Sequence, residues 1–222
     1  MITRRAALTT LGAAIAAPSV LRASVAGARR FTVLRDGDDI GFQTNKVVQQ
    51  GDSTIHTCQI RLKIKVLGIT AYRYELDFEE EWRGGELVSL NSTCNDDGDD
   101  AYARVKREGD GLIIDGSGYQ GPCPLGVATT SYWSFDFMRR KTWISTQSGD
   151  MLPMSATNVG PAKIVGPSGP VTADRWDVKG GYDVSVFYLD GEWVSIAFDA
   201  GGETATYVPD TVAPQFMAAW NG

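Results

Sequence analysis

The chain is poor in the residues from which many active sites are built. Its 222 residues hold one histidine and three cysteines, which excludes histidine-rich metal centres and a dense disulfide framework. Positive charge is scarce, with 21 Lys+Arg against 27 Asp+Glu and a net charge of −6. That balance excludes a basic surface for nucleic acid. The body of the chain has no apolar run of about 18 residues or more, so it holds no internal membrane helix. Heptads, internal repeats and linkers are missing as well. Abundant instead are glycine, at 25 residues, and a side-chain pattern that alternates by two. The length suits one domain.

The first 28 residues read as an address and are set apart from the fold. They open Met1-Ile2-Thr3-Arg4-Arg5-Ala6-Ala7-Leu8, a short basic head, and continue in a weakly apolar Ala-rich run broken by Pro18. Arg22 adds a late positive charge, and Ala26-Gly27-Ala28 puts small residues where a signal peptidase reads them. Adjacent arginines, a mild core and a basic residue before the cut resemble a twin-arginine export signal. An ordinary secretory signal is the alternative. Either implies contact with the export machinery and a periplasmic or secreted bacterial protein. No cysteine precedes Cys58, so the signal cannot end in a lipid-modified cysteine. Removing 1–28 takes away three arginines and no acid, and the more acidic remainder, 29–222, is repelled by anionic lipid.

Alternation dominates 29–222. Thr54, His56, Cys58, Ile60, Leu62, Ile64 and Val66 share one face of a strand; Gln59, Arg61, Lys63 and Lys65 share the other. Beyond Gly68, Tyr72, Tyr74, Leu76, Phe78, Glu80 and Trp82 repeat the inward face. The two strands read as a hairpin turning near Gly68, with Arg61, Lys63 and Lys65 set against Glu75, Asp77 and Glu79. Further strands are expected at 31–35, 40–49, 87–93, 102–108, 112–115, 143–147, 163–165, 175–179, 184–189, 193–198 and 204–208. Asp190-Gly191 is a type I′ hairpin signal that sets Leu189 opposite Glu192 and Tyr188 opposite Trp193. A short helix is expected within 131–140 and a final turn or two at 214–220. The fold class is all-β: a strongly curved antiparallel sheet or incomplete barrel with one or two short helices.

Few residues offer chemistry. Gly116-Ser117-Gly118-Tyr119-Gln120-Gly121 matches the dinucleotide-binding fingerprint, but Pro122-Cys123-Pro124 blocks the helix that must open there, so a Gly-rich loop between strands is expected. Asn95-Asp96-Asp97-Gly98-Asp99-Asp100 lacks calcium-loop spacing and reads as a solvated hairpin loop. His56, the one imidazole, sits on an apolar face and reads as a core or rim residue. No cofactor and no metal is expected. Glu80 stands between Phe78 and Trp82 and needs a partner, water or a raised pKa if buried. It is either a group inside a cavity, or the strand leaves the core there. Tyr132, Trp133 and Phe135 form an aromatic cluster that fills the core or lines a barrel mouth. Cys94 and Cys123 lie in loop-like surroundings, and a bridge between them is one option in an oxidising compartment, leaving Cys58 a buried thiol.

Several short segments together resemble the bacterial domain-of-unknown-function 6134 family. They are Arg35-Asp36-Gly37 with Ile40-Gly41, Leu67-Gly68 with Tyr72-Arg73-Tyr74, Glu81-Trp82-Arg83-Gly84, Asp97-Gly98, Ser131-Tyr132-Trp133, Thr146-Gln147-Ser148-Gly149, Phe187-Tyr188 and Gly191-Glu192-Trp193. Ser134-Phe135 departs from the family's Asn-Pro after Tyr-Trp. The resemblance implies an exported β protein and carries over no catalytic residues.

Three functional expectations follow. The first is a non-enzymatic periplasmic protein binding a hydrophobic small molecule or lipid within the curved sheet, with Tyr74, Phe78, Glu80, Trp82, Tyr132 and Trp133 as the ligand-facing set. The second is an envelope structural or adaptor protein with a packed core and no ligand. The third is an enzyme using a carboxylate such as Glu80.

Overall fold

The computed structural model describes residues 24–66 and 68–213. The turn expected at 214–220 and most of the export segment lie outside the described residues. Among the described residues, fifteen strands form one sheet in the order β8-β7-β6-β5-β4-β3-β2-β1-β15-β14-β13-β12-β11-β10-β9. From the middle of the sheet the described chain meanders outward through β1 (Ser24–Arg35), β2 (Asp38–Gln50), β3 (Ser53–Val66), β4 (Ile69–Arg83), β5 (Glu86–Asp96), β6 (Asp99–Glu108), β7 (Gly111–Gly116) and β8 (Gln120–Pro124). It then passes to the opposite edge at β9 (Ala128–Thr129) and β10 (Thr142–Ile144). From there it returns through β11 (Met151–Gly166), β12 (Gly169–Gly180), β13 (Val184–Leu189), β14 (Glu192–Asp199) and β15 (Thr204–Pro209) to pair with β1. Among the described residues, only β9 and β10 run parallel. The sheet stays open between β8 and β9.

Register follows the alternation. In β3 and β4 every partner pair from Ser53↔Arg83 to Ile64↔Tyr72 is a reflection about Gly68. Inward residues Cys58, Ile60, Leu76, Phe78 and Trp82 are buried, while Gln59, Lys63 and Glu79 are exposed. A one-residue slip would turn this whole set to water. The outer charges differ from the expectation in detail. Arg61 faces Glu75 and reaches diagonally to Asp77 at 2.6 Å, but Lys63 faces Arg73 and Lys65 faces Thr70. A bulge at Ile64/Lys65 shortens the turn and breaks the reflection. Asp190 (φ 52°) and Gly191 (φ 81°) make the expected tight turn, with Leu189↔Glu192 and Tyr188↔Trp193 in register.

Residues 125–150 fill the interior of the curl. The expected helix within 131–140 is a 3-10 turn, Phe135–Arg139, capped by the Ser134 hydroxyl, which accepts from the Asp136 N–H. Phe137 and Met138 on this turn are buried, as are Trp133 and Trp143 on either side of it. Trp82 stacks on Phe137 with ring centroids 4.8 Å apart, and Phe31 packs on Trp193 at 4.6 Å. The Tyr188 hydroxyl donates to the Tyr132 carbonyl at 2.7 Å, and Arg140 donates to the carbonyls of Val127 and Gly85. These contacts tie both arms of the sheet to one inner segment.

The Gly-rich stretch is a strand connection, as expected. Gly116 closes β7, and β8 begins at Gln120. A Cβ at Gly116 would stand 2.3 Å from the Ser148 carbonyl oxygen, so the glycine serves close packing against the inner segment. Asn95–Asp100 is a tight hairpin loop built on Asp97 (φ 54°) and Gly98 (φ 105°).

A candidate functional site around Glu80

Glu80 lies on β4, which keeps its inward face in the core through Trp82. The strand does not leave the core at Glu80, contrary to the simpler of the two sequence expectations. The carboxylate is 0% exposed and is surrounded by donors. Trp82 Nε1 donates to Oε2 at 2.8 Å and Trp133 Nε1 at 3.1 Å. Thr129 Oγ1 donates to Oε1 at 2.8 Å, and Ser131 Oγ reaches Oε2 at 3.3 Å. His56, directly across β3, places Nδ1 3.7 Å from Oε2. Burial would raise the pKa of this carboxyl. The hydrogen bond and charge of His56, with the donors Trp82 and Thr129, outweigh that effect and hold it below its ordinary value. A buried anion with this many donors is stable where an unpaired one would not be.

A polar chain continues behind His56. Its Nε2 is 3.2 Å from Asn45 Oδ1, which also accepts from Gln43 Nε2 at 3.0 Å. Asn45 Nδ2 lies 3.5 Å from the Arg29 carbonyl. The Arg29 guanidinium is 3.4 Å from Glu192 and donates to the carbonyls of Trp193 and Ala213. Arg29, Gln43, Asn45, His56 and Glu192 are all buried.

Five of the six expected ligand-facing residues, Phe78, Glu80, Trp82, Tyr132 and Trp133, fall in one core region. They are buried there and touch one another or shared neighbours. His56 packs on Phe78 at 5.4 Å and on Trp133 at 5.2 Å, and Trp82 meets Trp133 edge-on at 6.5 Å. Tyr132 sits at φ 59°, in the left-handed region, and turns its ring toward Trp143 and Trp193. Its hydroxyl meets that of Tyr182. Tyr74 stands apart, about 20 Å along the strand from Glu80 at 3.3 Å per residue. It bonds Gln147 Oε1 at 3.3 Å beside Tyr72 and Asp96, which are joined at 2.7 Å.

The sequence reading missed Thr129 and Ser131 as partners of Glu80, because nothing local places a loop hydroxyl against a strand fifty residues away. His56 was within reach: reflection about Gly68 pairs it with Glu80. The Cys94–Cys123 bridge is corrected. All three cysteines are buried free thiols. Cys94 is on β5 and Cys123 on β8, three strands away and level with Val88, so the two are about 20 Å apart along the strand direction alone, beyond the about 7 Å a disulfide spans.

Chemically, a carboxylate sealed from solvent serves as an anchor. It ties Thr129, Ser131 and Trp133 of the inner segment to the β3–β4 wall. Among the described residues no group of three or more His, Cys, Asp or Glu is placed to hold a metal ion, and no helix is long and apolar enough to cross a membrane. The molecule is thus an all-β protein, a curled open sheet closed on an inner segment by a buried carboxylate. The model of DUF6134, a domain of unknown function, matches residues 31–210, and the chain belongs to that family. No curated protein and no solved structure matches it.

Proposed function

We propose that this protein is an exported, non-enzymatic component of the bacterial envelope that acts through its outer surface, as a structural or adaptor protein with a packed interior. The observation that carries this reading is the saturated Glu80 carboxylate. Its donors, Trp82, Thr129, Ser131 and Trp133, occupy the space a hydrophobic ligand would need. Trp82 and Trp133 at the carboxylate, and Trp143 and Trp193 elsewhere in the same core cluster, are fully buried. A lipid entering here would strip donors from a buried anion, at a cost of several kcal/mol.

The outer face supports the same reading. A trough of about 570 Å³ crosses strands β2 to β6. Register sets two polar rows along it, Thr44–Gln59–Asp77–Thr93 and Lys46–Thr57–Glu79–Asn91–Arg104. Such a surface suits a polar partner better than an acyl chain. The resemblance of residues 1–28 to an export signal supports the envelope location.

The test is native mass spectrometry on protein recovered from the periplasm, together with titration by a fluorescent fatty-acid probe. This reading expects a bare mass and no probe uptake. A co-purifying amphiphile whose binding is lost in Trp133→Ala would favour the hydrophobic-carrier alternative instead. Recovery from the cytoplasm, uncleaved, would remove the envelope assignment.

A further inference from the structure

The chain is acidic overall, with 21 Lys+Arg against 27 Asp+Glu, yet one place on it has the opposite sign. A trough of about 630 Å³ lies where β11 passes between segment 138–141 and the end of β12. Arg139, Arg140, Lys141 and Lys179 line it, and among the described residues no acid does. Register explains the gathering. The Met154 N–H donates to the Lys141 carbonyl at 2.8 Å, while toward β12 Met154 faces Gly180 and Ser155 faces Lys179. The backbones of the two lysines thus flank one strand, roughly 10 Å apart at two strand spacings. Arg139, Lys141 and Lys179 are exposed.

The neighbouring acids do not cancel this charge. Asp136 stands 3.1 Å from Arg139. Glu86 acts on Arg140 while accepting the Gly126 N–H at 2.8 Å. Asp177 is held by Arg175 at 2.7 Å and by Ser185 at 2.9 Å. With Arg175 included, the neighbourhood carries five cations against three acids. A positive trough on an acidic molecule draws an anionic partner to that one place. The bonds already made narrow the kind of anion. Arg140 spends its guanidinium on the Val127 and Gly85 carbonyls, and Arg139 pairs with Asp136. No pair of guanidiniums is therefore left to grip a single phosphate in bidentate fashion. Lysine ammoniums are point charges on flexible stems and suit carboxylates spread along a chain. In an extended peptide, residues three apart stand about 10 Å from one another, matching the two lysines. An anionic lipid surface is opposed by the acidity of the rest of the molecule.

We propose that this trough docks an acidic, extended segment of a partner polypeptide, with Lys141 and Lys179 binding its carboxylates. The exposed Asp136–Arg139 pair is worth little on its own, so Arg139 exchanges Asp136 for a partner carboxylate at small cost. The proposal rests on the reading of the protein as an adaptor that acts through its outer surface, and it names the chemistry of the partner.

The test follows the fluorescence anisotropy of a fluorescein-labelled oligoglutamate peptide titrated with the full chain. It is run at about 0.01 M ionic strength, where charges act over about 30 Å, and at about 0.15 M, where they act over about 8 Å. Saturable binding is expected at the lower value and weaker binding at the higher. Lys141→Glu with Lys179→Glu should lower affinity about tenfold or more, and Lys141→Gln with Lys179→Gln should lower it less. Lys63→Glu with Lys65→Glu, at exposed positions on β3, changes the net charge equally and should bind as wild type does. Absence of saturable binding at low ionic strength, or equal losses in the two glutamate pairs, overturns the site. Displacement of the peptide by inorganic phosphate beyond that by chloride of equal ionic strength overturns the peptide in favour of a phosphate site. Sedimentation with phosphatidylglycerol vesicles that Lys141→Glu with Lys179→Glu abolishes overturns it in favour of a lipid surface. A failed peptide titration leaves a bare mass in native mass spectrometry, and with it the adaptor reading, standing; a co-purifying amphiphile removes that reading whatever the peptide does.

Discussion

Glu80 and Trp133 are 53 residues apart in the chain and joined by an indole hydrogen bond of 3.1 Å in the core. One belongs to the wall of the curled sheet, the other to the segment inside it. The bond marks where the two are locked together, and its removal is the most direct probe of the architecture.

Replacing Glu80 by alanine leaves two indole N–H groups and the Thr129 and Ser131 hydroxyls without their acceptor in a dry core. The expected loss is about 3–5 kcal/mol, read from urea midpoints. Glu80→Gln keeps an acceptor oxygen and should lose less. A Glu80→Ala midpoint equal to that of wild type would show that the inner segment is held by aromatic packing alone.

The same carboxylate gives an acid dependence of known sign. Its folded pKa lies below the ordinary carboxylate value of about 4.3, which stands for the unfolded chain. Its contribution is thus fully present above that value and is lost as pH falls through the folded pKa. Thermal midpoints measured between neutral pH and strong acid should fall more steeply for wild type than for Glu80→Gln. Parallel curves would remove Glu80 as the acid-sensitive group.

Gly41 is held at φ 140°, and a Cβ there would stand 2.0 Å from the Arg61 carbonyl oxygen on the neighbouring strand. Gly41→Ala should cost about 3 kcal/mol or more, because backbone must move. Gly37→Ala is the control. Its φ is 90° with no atom within 4 Å, so only conformational strain of about 1–2 kcal/mol is expected. Equal melting temperatures for the two variants would contradict the β2–β3 register.

The cysteines should behave as slow, unbridged thiols. Burial pushes Cys94 up to about 11, Cys123 up, and Cys58 well above its ordinary value. Alkylation of native protein near pH 8 should be slow, since the thiolate is the reacting form. Denatured, unreduced protein should take up three labels. Uptake of one label would reveal a disulfide.

Much of the sheet was legible from alternation, because a half-buried strand repeats its faces every two residues whatever its partners. The β3–β4 hairpin and the Asp190-Gly191 turn follow from such local signals. Strand β11 did not: the reading found 163–165, whereas the strand runs Met151–Gly166. A bulge at Asn158/Gly160 and largely exposed residues erase its alternation. Strands β8 and β9 were missed too, since Gln120–Pro124 carries two prolines and Ala128–Thr129 is only two residues long.

The sequence by itself determined the all-β class, the acidic balance and the need of Glu80 for a partner, since each rests on composition or on contacts between chain neighbours. Only the tertiary structure decided that the partners are Thr129, Ser131, Trp133 and His56, that Cys94 and Cys123 stay apart, and that the aromatic face closes on an inner segment. Those outcomes depend on how a long meander curls and which distant loop returns to fill it. Such long-range pairings are fixed by the summed burial of the whole core, and no local spacing encodes them.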